Sequence, residues 1–175
     1  MKGETRRKKA EPDPESRLHD AHHESLRLWL RLLTCTLTIE RRVRAQLRER
    51  FAITLPRFDL LAQLERNPGG LKMGELSRRL MVTSGSITGL TDQLAAEGLV
   101  ERTPIATDRR AFLVRLTAKG KRTFDVMAAA HEGWIVDMLS GLKEGERGEL
   151  HSLLGQLKTT LHAVDAPKRR KEARP

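Results

Sequence analysis

Small polar residues share one side of a helix predicted over residues 84–97. At 100° per residue, five of them fall opposite the apolar stripe: Ser84, Gly85, Thr88, Gly89 and Asp92. Small side chains let a helix approach base edges closely, and hydroxyl groups can bond to bases or phosphates. An ordinary exposed helix face is the alternative. Because Ser and Thr are mediocre helix formers, the composition favours contact with DNA.

Two adjacent arginines lie in the turn-rich segment PIATDRR. The tip of a predicted hairpin contains Thr107, Asp108, Arg109 and Arg110. A β-hairpin can insert a guanidinium into the minor groove of DNA, where narrow A·T stretches concentrate negative potential. The Asp108 carboxylate can hold one arginine in place through a bidentate pair. A solvated turn with a chance ion pair is the alternative.

Between the two predicted tails, over residues 18–164, the excess positive charge is concentrated around these residues. The 175 residues have a net charge of +10, and residues 71–122 contain 10 basic and 5 acidic side chains. This segment is therefore the first candidate for contact with a polyanion, although a well-solvated surface would have the same composition. Aromatic residues make up only 3% of the chain and tyrosine is absent, which argues against a surface that stacks single-stranded bases on several rings.

Several other classes of protein do not fit the sequence. The single cysteine, Cys35, excludes an internal disulfide framework and a cysteine-based zinc cluster, and a reducing cytoplasm is the expected location. No apolar run approaches the ~18 residues of a membrane span, and the N-terminus lacks the apolar core of a secretory signal. No Ser/His/Asp or Cys/His set, GxxxxGK loop or HExxH motif is present. We therefore expect neither an enzyme nor a cofactor.

The first predicted helix is long. Apolar residues recur every three or four positions from about Leu18 to Phe51. A helix of ~30 residues is ~45 Å long, which is more than a domain of this size needs for its own core, so one end is expected to pack against another subunit. Thr54 as N-cap and Pro56 in the first turn predict the start of a second helix.

The central segment predicts a helix–turn–helix followed by a β-hairpin. Short helices are expected over residues 73–80 and 84–97. The second has Thr83 as its N-cap, Gly98 as its end, and an inward stripe formed by Ile87, Leu90 and Leu94. Strands are expected over residues 99–103 and 111–116.

Two more helices complete a mainly α fold with a small β-hairpin, that is, a winged helix-turn-helix flanked by helices from both ends of the chain. Thr117 is the expected N-cap of the fifth helix, and Leu150 and the apolar residues after it predict the last. The predicted organisation is a disordered basic tail (1–17), a helical dimerisation region (18–53 and 118–164), a winged helix (54–117) and a second basic tail (165–175).

The motifs of the central segment resemble the MarR family of transcriptional regulators. The resemblance rests on TLPRFDLLAQL, LKMGELSRRL, VTSGSITGLTDQLAAEGLVER and DRRAFLVRLTAKG. Its most specific part is the D-x-R of Asp108 and Arg110 followed by the L-T-x-x-G of Leu116, Thr117 and Gly120. With the flanking helices, it covers residues 22–163.

The resemblance implies a homodimer that binds double-stranded DNA at an inverted repeat. Ser84, Ser86 and Thr88 would face the major groove, and the wing over residues 103–110 would place Arg110 in the minor groove. A nonspecific, nucleoid-associated DNA-binding protein without an effector is the alternative function. Either protein would be cytoplasmic, on the nucleoid, with no contact to a membrane.

The resemblance also implies a pocket for a small-molecule effector. Apolar side chains would hold an aromatic ring, and arginines a carboxylate or phosphate. The candidates are Arg27, Trp29, Arg31, Leu33, Pro56, Arg57, Phe58, His131 and Trp134. The stretch RLWLRLLTCTLTIERRVR, with HEGW in the fifth helix, is similar to the subgroup that responds to hydroxycinnamoyl-CoA thioesters, so an aromatic acid or its coenzyme A thioester is the expected ligand.

Two further features are expected to be structural. His19, His22 and His23 have the i, i+3, i+4 spacing of helical zinc ligands, but they adjoin a predicted disordered tail, and no metal site is expected. Cys35 lies on an apolar-flanked helix, where burial and an inert thiol are expected rather than peroxide sensing.

Overall fold

The chain forms six helices and one three-stranded sheet over the residues that its structure describes. This computed structural model describes residues 23–105 and 108–165, with 108–111 and 164–165 described in their backbone only. The helices are α1 (Glu24–Phe51), α2 (Leu55–Glu65), α3 (Met73–Leu80), α4 (Ser84–Ala96), α5 (Ala118–Leu139) and α6 (Glu144–Asp165). The strands are β1 (Leu71–Lys72), β2 (Val100–Ile105) and β3 (Asp108–Leu116).

The chain divides into two compact units, the first ending at Ala129 and the second beginning at Ala130. Among the described residues, no helix combines the length and the apolar character of a membrane-spanning segment. The predicted tails at 1–17 and 166–175 lie outside the described residues. Asp165, which was predicted to begin the second tail, ends α6 instead.

The early helices follow the sequence prediction closely. α1 ends at Phe51, where Ala52 adopts a left-handed conformation and donates its N–H to the Arg48 carbonyl at 3.1 Å. α2 has Pro56 in its first turn, where the missing N–H removes no helical hydrogen bond. The Thr54 carbonyl accepts the N–H groups of Arg57 and Phe58, each at 3.1 Å.

One hydrophobic core joins the elements of the first unit. Its fully buried side chains come from α1, α2, α3, α4 and β3 and include Leu47, Leu60, Leu61, Leu64, Leu76, Ile87, Leu94 and Val114. Phe58 of α2 adds a tilted ring contact with Phe124 of α5, with 5.4 Å between the centroids. Leucines at helical spacing on successive short helices can bury their surface only against one another, so the helix–turn–helix packs as a single body.

The sheet is larger than the predicted hairpin. Its strand order is β1-β3-β2, and β1 pairs antiparallel with β3 through Leu71 opposite Val114 and Lys72 opposite Leu113. A strand of two residues is too short to show a periodicity in the sequence. It is a strand only because it pairs with β3. The third strand was therefore missed by the sequence analysis.

The two predicted strands have different bounds from those expected. β2 begins at Val100 rather than Leu99 and continues to Ile105 instead of ending at Thr103, and β3 begins at Asp108 rather than Ala111. The predicted hairpin tip is wrong in this respect, because Asp108, Arg109 and Arg110 belong to β3. The pairing of β2 with β3 is irregular here. Pro104 pairs with Phe112, but Ile105, the next residue, pairs with Asp108.

The end of α4, the start of β2 and the start of α5 meet at one point. Gly98 has φ +69° and closes α4, as predicted. The Thr117 hydroxyl donates to the Gly98 carbonyl at 2.7 Å and accepts the Gly120 N–H at 2.9 Å, which confirms Thr117 as the cap of α5. A Cβ atom on Gly120 would lie 1.9 Å from the Leu99 carbonyl oxygen. Position 120 therefore has no room for a side chain.

The second unit contains the end of α5 and all of α6. Trp134 is buried, and its ring meets that of His131 edge to face, with 6.3 Å between the centroids. α6 begins with half of a capping box, in which the Glu146 carboxylate accepts the Lys143 N–H at 2.7 Å. The large apolar side chains of α6 are partly exposed in the single chain: Leu150, Leu153, Leu154, Leu157 and Leu161.

Replacement of Gly120 by alanine is expected to lower the free energy of unfolding by about 1–3 kcal/mol, the usual range for overpacking. The new methyl group would collide with the Leu99 carbonyl, which is fixed by the sheet. Gly133→Ala in the same helix is the matched control, because no described atom comes within 4 Å of its Cβ position; it should stabilise the protein by up to about 1 kcal/mol. Thermal denaturation followed by circular dichroism measures both. A melting temperature for Gly120→Ala equal to that of the wild type would contradict the close approach.

Candidate nucleic-acid interface

The turn between α3 and α4 fixes how α4 begins. Met81 ends α3 in a left-handed conformation with φ +53°, and Thr83 is the N-cap of α4, as predicted. The Thr83 side-chain oxygen accepts the Ser86 N–H at 3.2 Å and lies 2.9 Å from the Ser86 hydroxyl oxygen. Ser86 is therefore part of the cap as well as a candidate contact to DNA.

The polar side of α4 is exposed. Ser84, Ser86 and Thr88 are all exposed on this helix, and the Thr88 hydroxyl donates to the Ser84 carbonyl at 2.9 Å. Its oxygen keeps lone pairs that can accept from a base amine. Gly85 and Gly89 have no described atom within 4 Å of their Cβ positions, so the helix surface is smooth there and can approach a nucleic acid closely.

The buried side of α4 differs from the prediction at one position. Ile87 and Leu94 are buried as expected, but Leu90 is only half-buried and Thr91 is fully buried. The Thr91 hydroxyl is satisfied by donating to the Ile87 carbonyl at 2.7 Å. Because this local hydrogen bond removes the penalty for burying a hydroxyl, threonine can occupy a core position that the polarity of its side chain did not predict.

Arg102 on β2 contacts α4, and the sequence analysis did not single it out. Its Nη1 atom lies 2.7 Å from the Asp92 Oδ1 atom, and its Nη2 atom donates to the Thr88 carbonyl at 3.3 Å. We call this pair of contacts the Arg102 bridge. A signal existed in the sequence: alternation along a strand places Arg102 on the same face as the buried Val100, and a cation on that face needs a partner.

The structure describes only the backbone of the wing residues 108–111. Asp108, Arg109 and Arg110 lie in β3, and their side chains, with residues 106–107, lie outside the described part of the chain. The ion pair predicted between Asp108 and an arginine therefore stays a prediction.

The C-terminal end of α4 is held by two basic side chains. The Arg57 guanidinium forms an ion pair and hydrogen bond with the Glu97 carboxylate, and the Lys119 Nζ atom donates to the Glu97 carbonyl at 2.8 Å. Arg57, a candidate effector residue, thus already contacts α4 in this structure. Cations at a helix C-terminus also complement its dipole.

An open cavity of about 310 Å³ lies between α3, the N-terminal half of α4 and the wing strands. Its walls are formed by Met73, Gly74, Ser84, Ile87, Thr88, Arg102 and Phe112. The cavity is thus on the same side of the protein as the exposed hydroxyls, and the Arg102 guanidinium is the charged group in its wall.

The remaining candidate effector residues fall in both units. On α1, Trp29 and Arg31 are exposed while Arg27 and Leu33 are half-buried; on α2, Pro56 is half-buried and Phe58 is buried. In the second unit, burial lowers the pKa of His131. The predicted burial of Cys35 is wrong, because its side chain is exposed; its inertness toward peroxide stays a prediction. Within the described residues, which exclude His19 and His22, no three potential metal ligands come together.

The sequence profile of the MarR family matches residues 53–111. The regulator PecS of Dickeya dadantii is 29% identical over 114 residues, which is 64% of this chain and 69% of PecS. A MarR family transcriptional regulator from Silicibacter pomeroyi, known from a crystal structure, is 30% identical in sequence. The match covers 82% of this chain and 99% of the Silicibacter chain, with a TM-score of 0.68.

The fold is also that of a mutant MarR from E. coli crystallised in complex with operator DNA. That structure is 24% identical, covers 79% of this chain and 98% of its own, and has a TM-score of 0.66. The match over nearly the whole of the Silicibacter protein includes the flanking helices as well as the winged helix. The chain therefore belongs to the MarR family of winged-helix transcriptional regulators.

Proposed function

We propose that the protein is a homodimeric, ligand-responsive transcriptional repressor that binds an inverted-repeat operator. α4 enters the major groove with Ser84, Ser86 and Thr88, and the wing over residues 103–110 places Arg110 in the minor groove. The Asp108 carboxylate holds an arginine of the wing in place, and Arg109 adjoins the phosphates. The observation that supports this most directly is the exposed, small and polar face of α4 beside the wing strands. A helix of this composition fits a major groove ~12 Å wide.

The apolar surface of α6 supports the homodimer. Five leucines of this helix are 40–56% exposed in the single chain, and they recur at three- and four-residue spacing, as at a helix–helix interface. A two-fold dimer places its two recognition helices about 34–36 Å apart, one turn of DNA, so the operator is an inverted repeat.

We also propose that a small aromatic acid or its coenzyme A thioester releases the operator. Trp29, 54% exposed, lies one helical turn from Leu33 and close in sequence to Arg27 and Arg31. An indole can stack on an aromatic ring, and guanidinium groups suit the carboxylate of the acid or the phosphates of coenzyme A. The ligand acts by favouring a dimer whose recognition helices have the wrong spacing for DNA.

Arg110→Ala is expected to weaken binding to the operator by roughly 5- to 150-fold, because one groove contact is worth about 1–3 kcal/mol. The duplex is chosen by letting the wild-type protein select from a random library, and the affinity is titrated at fixed salt. Arg41→Ala, which removes an equal charge from the exposed surface of α1, should leave the affinity within about twofold. Unchanged affinity for Arg110→Ala would remove the wing from the mechanism, and failure of the wild type to enrich any sequence would contradict an operator-specific regulator.

Leu157→Asp is expected to convert the dimer into a monomer, because it places a carboxylate in the apolar stripe of α6. Gln156→Asp, at an exposed neighbouring position, introduces the same charge outside the stripe and should leave the dimer intact. Light scattering coupled to gel filtration gives the mass directly. A dimeric Leu157→Asp would show that α6 is not the interface.

The effector class is tested by thermal shift with free aromatic acids and their coenzyme A thioesters at matched concentration. A ligand present at ~100 times its Kd adds ~2.7 kcal/mol to the free energy of unfolding, which raises the melting temperature visibly. Trp29→Ala should abolish that rise without altering the melting temperature of the free protein, because the indole is largely exposed. Equal response of Trp29→Ala and wild type would move the ligand away from α1, and no response to either compound class would contradict both.

A further inference from the structure

The Arg102 bridge connects the first wing strand to the middle of the recognition helix. Arg102 leaves β2 three residues after Leu99, and its guanidinium reaches Thr88 and Asp92, which are one turn apart on α4. The two contacts use different nitrogen atoms of one planar group. A single side chain thus fixes both the position and the rotation of that turn relative to β2.

A second connection between α4 and β2 is covalent. α4 ends at Ala96, and the chain turns through Glu97 and Gly98 into β2, with the Leu99 N–H donating to the Leu94 carbonyl at 2.9 Å. Thr88 lies eight residues before Ala96, about 12 Å along the helix axis. The sheet is also held by its pairing with β1 and by the buried side chains of Val100 and Val114. The Arg102 bridge adds a polar contact to the middle of α4, and so contributes to the angle between α4 and the wing strands.

The burial of Arg102 argues against an incidental surface ion pair. Its side chain is only 26% exposed, whereas that of Asp92 is 58% exposed. Within the described residues, the Arg102 Nε atom is buried without a hydrogen-bond partner. Desolvating a guanidinium costs free energy unless its partners are well placed. Stability alone would therefore be served equally well by a solvated lysine or an apolar residue. What arginine specifically provides is a planar group whose two nitrogen atoms contact Asp92 and the Thr88 carbonyl.

We propose that Arg102 is a positioning residue that sets the angle between the recognition helix and the wing, so that both reach their grooves in one binding event. This inference rests on the proposed DNA-binding function. Arg102 itself touches no base: it acts through Arg110, whose entry into the minor groove depends on where β2 and β3 point.

The test is a double-mutant cycle of Arg102→Lys with Arg110→Ala on the operator selected by the wild type. Lysine keeps the charge but has one nitrogen atom in place of the two that contact Asp92 and Thr88. We expect Arg102→Lys to weaken binding roughly tenfold in the wild-type background and less than twofold when Arg110 is already alanine, since coupled residues are not additive. Equal losses in both backgrounds, or no loss in either, would overturn the proposal.

Hydroxyl-radical footprinting gives a readout that a merely structural role would not move. Arg102→Lys should lose protection of the minor groove from hydroxyl radicals, while protection of guanine N7 in the major groove, measured separately by methylation with dimethyl sulfate, remains. Loss of both protections together would indicate a general weakening and contradict a positioning role. Thermal denaturation in parallel identifies any variant that fails to fold.

Asp92→Ala removes the other partner of the Arg102 bridge. Because the Asp92 side chain is 58% exposed, this variant is expected to disturb folding less than a change at Arg102. A positioning role predicts the same coupling to Arg110→Ala as for Arg102→Lys. If Asp92 instead only repels DNA and Arg102 only neutralises it, Asp92→Ala would bind more tightly, which would overturn the proposal. If the wild type itself selects no sequence, the proposed function fails first, and that result is distinct from an additive cycle on a well-bound operator.

Discussion

Helix α5 passes so close to the Leu99 carbonyl that position 120 accommodates only glycine. The same few residues complete the junction, because the Thr117 hydroxyl bonds to both the Gly98 carbonyl and the Gly120 N–H. The end of the recognition helix, the base of the wing and the start of α5 are thereby held at one point. The placement of α4 relative to the wing strands and to α5 depends on the geometry of this junction.

From that junction, charged side chains determine how α4 lies. Arg57 and Lys119 hold its C-terminal end through Glu97, and Arg102 holds its middle through Asp92 and the Thr88 carbonyl. Each cation reaches α4 from a different element. Because α4 is held electrostatically on two sides and by apolar packing beneath, its remaining exposed face is the small polar one.

That arrangement brings together residues that are distant in the sequence. Arg57 lies in α2, among the candidate effector residues, yet its partner Glu97 ends the recognition helix. An anionic ligand that competes for this guanidinium would act on α4 directly, without any intermediate element. The proposed release of DNA by a carboxylate or a coenzyme A thioester is consistent with this contact, since both ligands bring groups that arginine binds well.

Local periodicity and capping chemistry predicted the helix bounds near Phe51, Met73 and Ser84, the cap at Thr117 and the polar face of α4. They did not predict the strand Leu71–Lys72, the early start of β3, the burial of Thr91, the exposure of Cys35 or the partners of Arg102 and Arg57. The strand and the partner of Arg57 depend on residues 40 or more positions away, since Leu71 pairs with Val114 and Arg57 with Glu97. Pairing of strands and of charges is decided by which surfaces packing brings together, and only the tertiary structure contains that information.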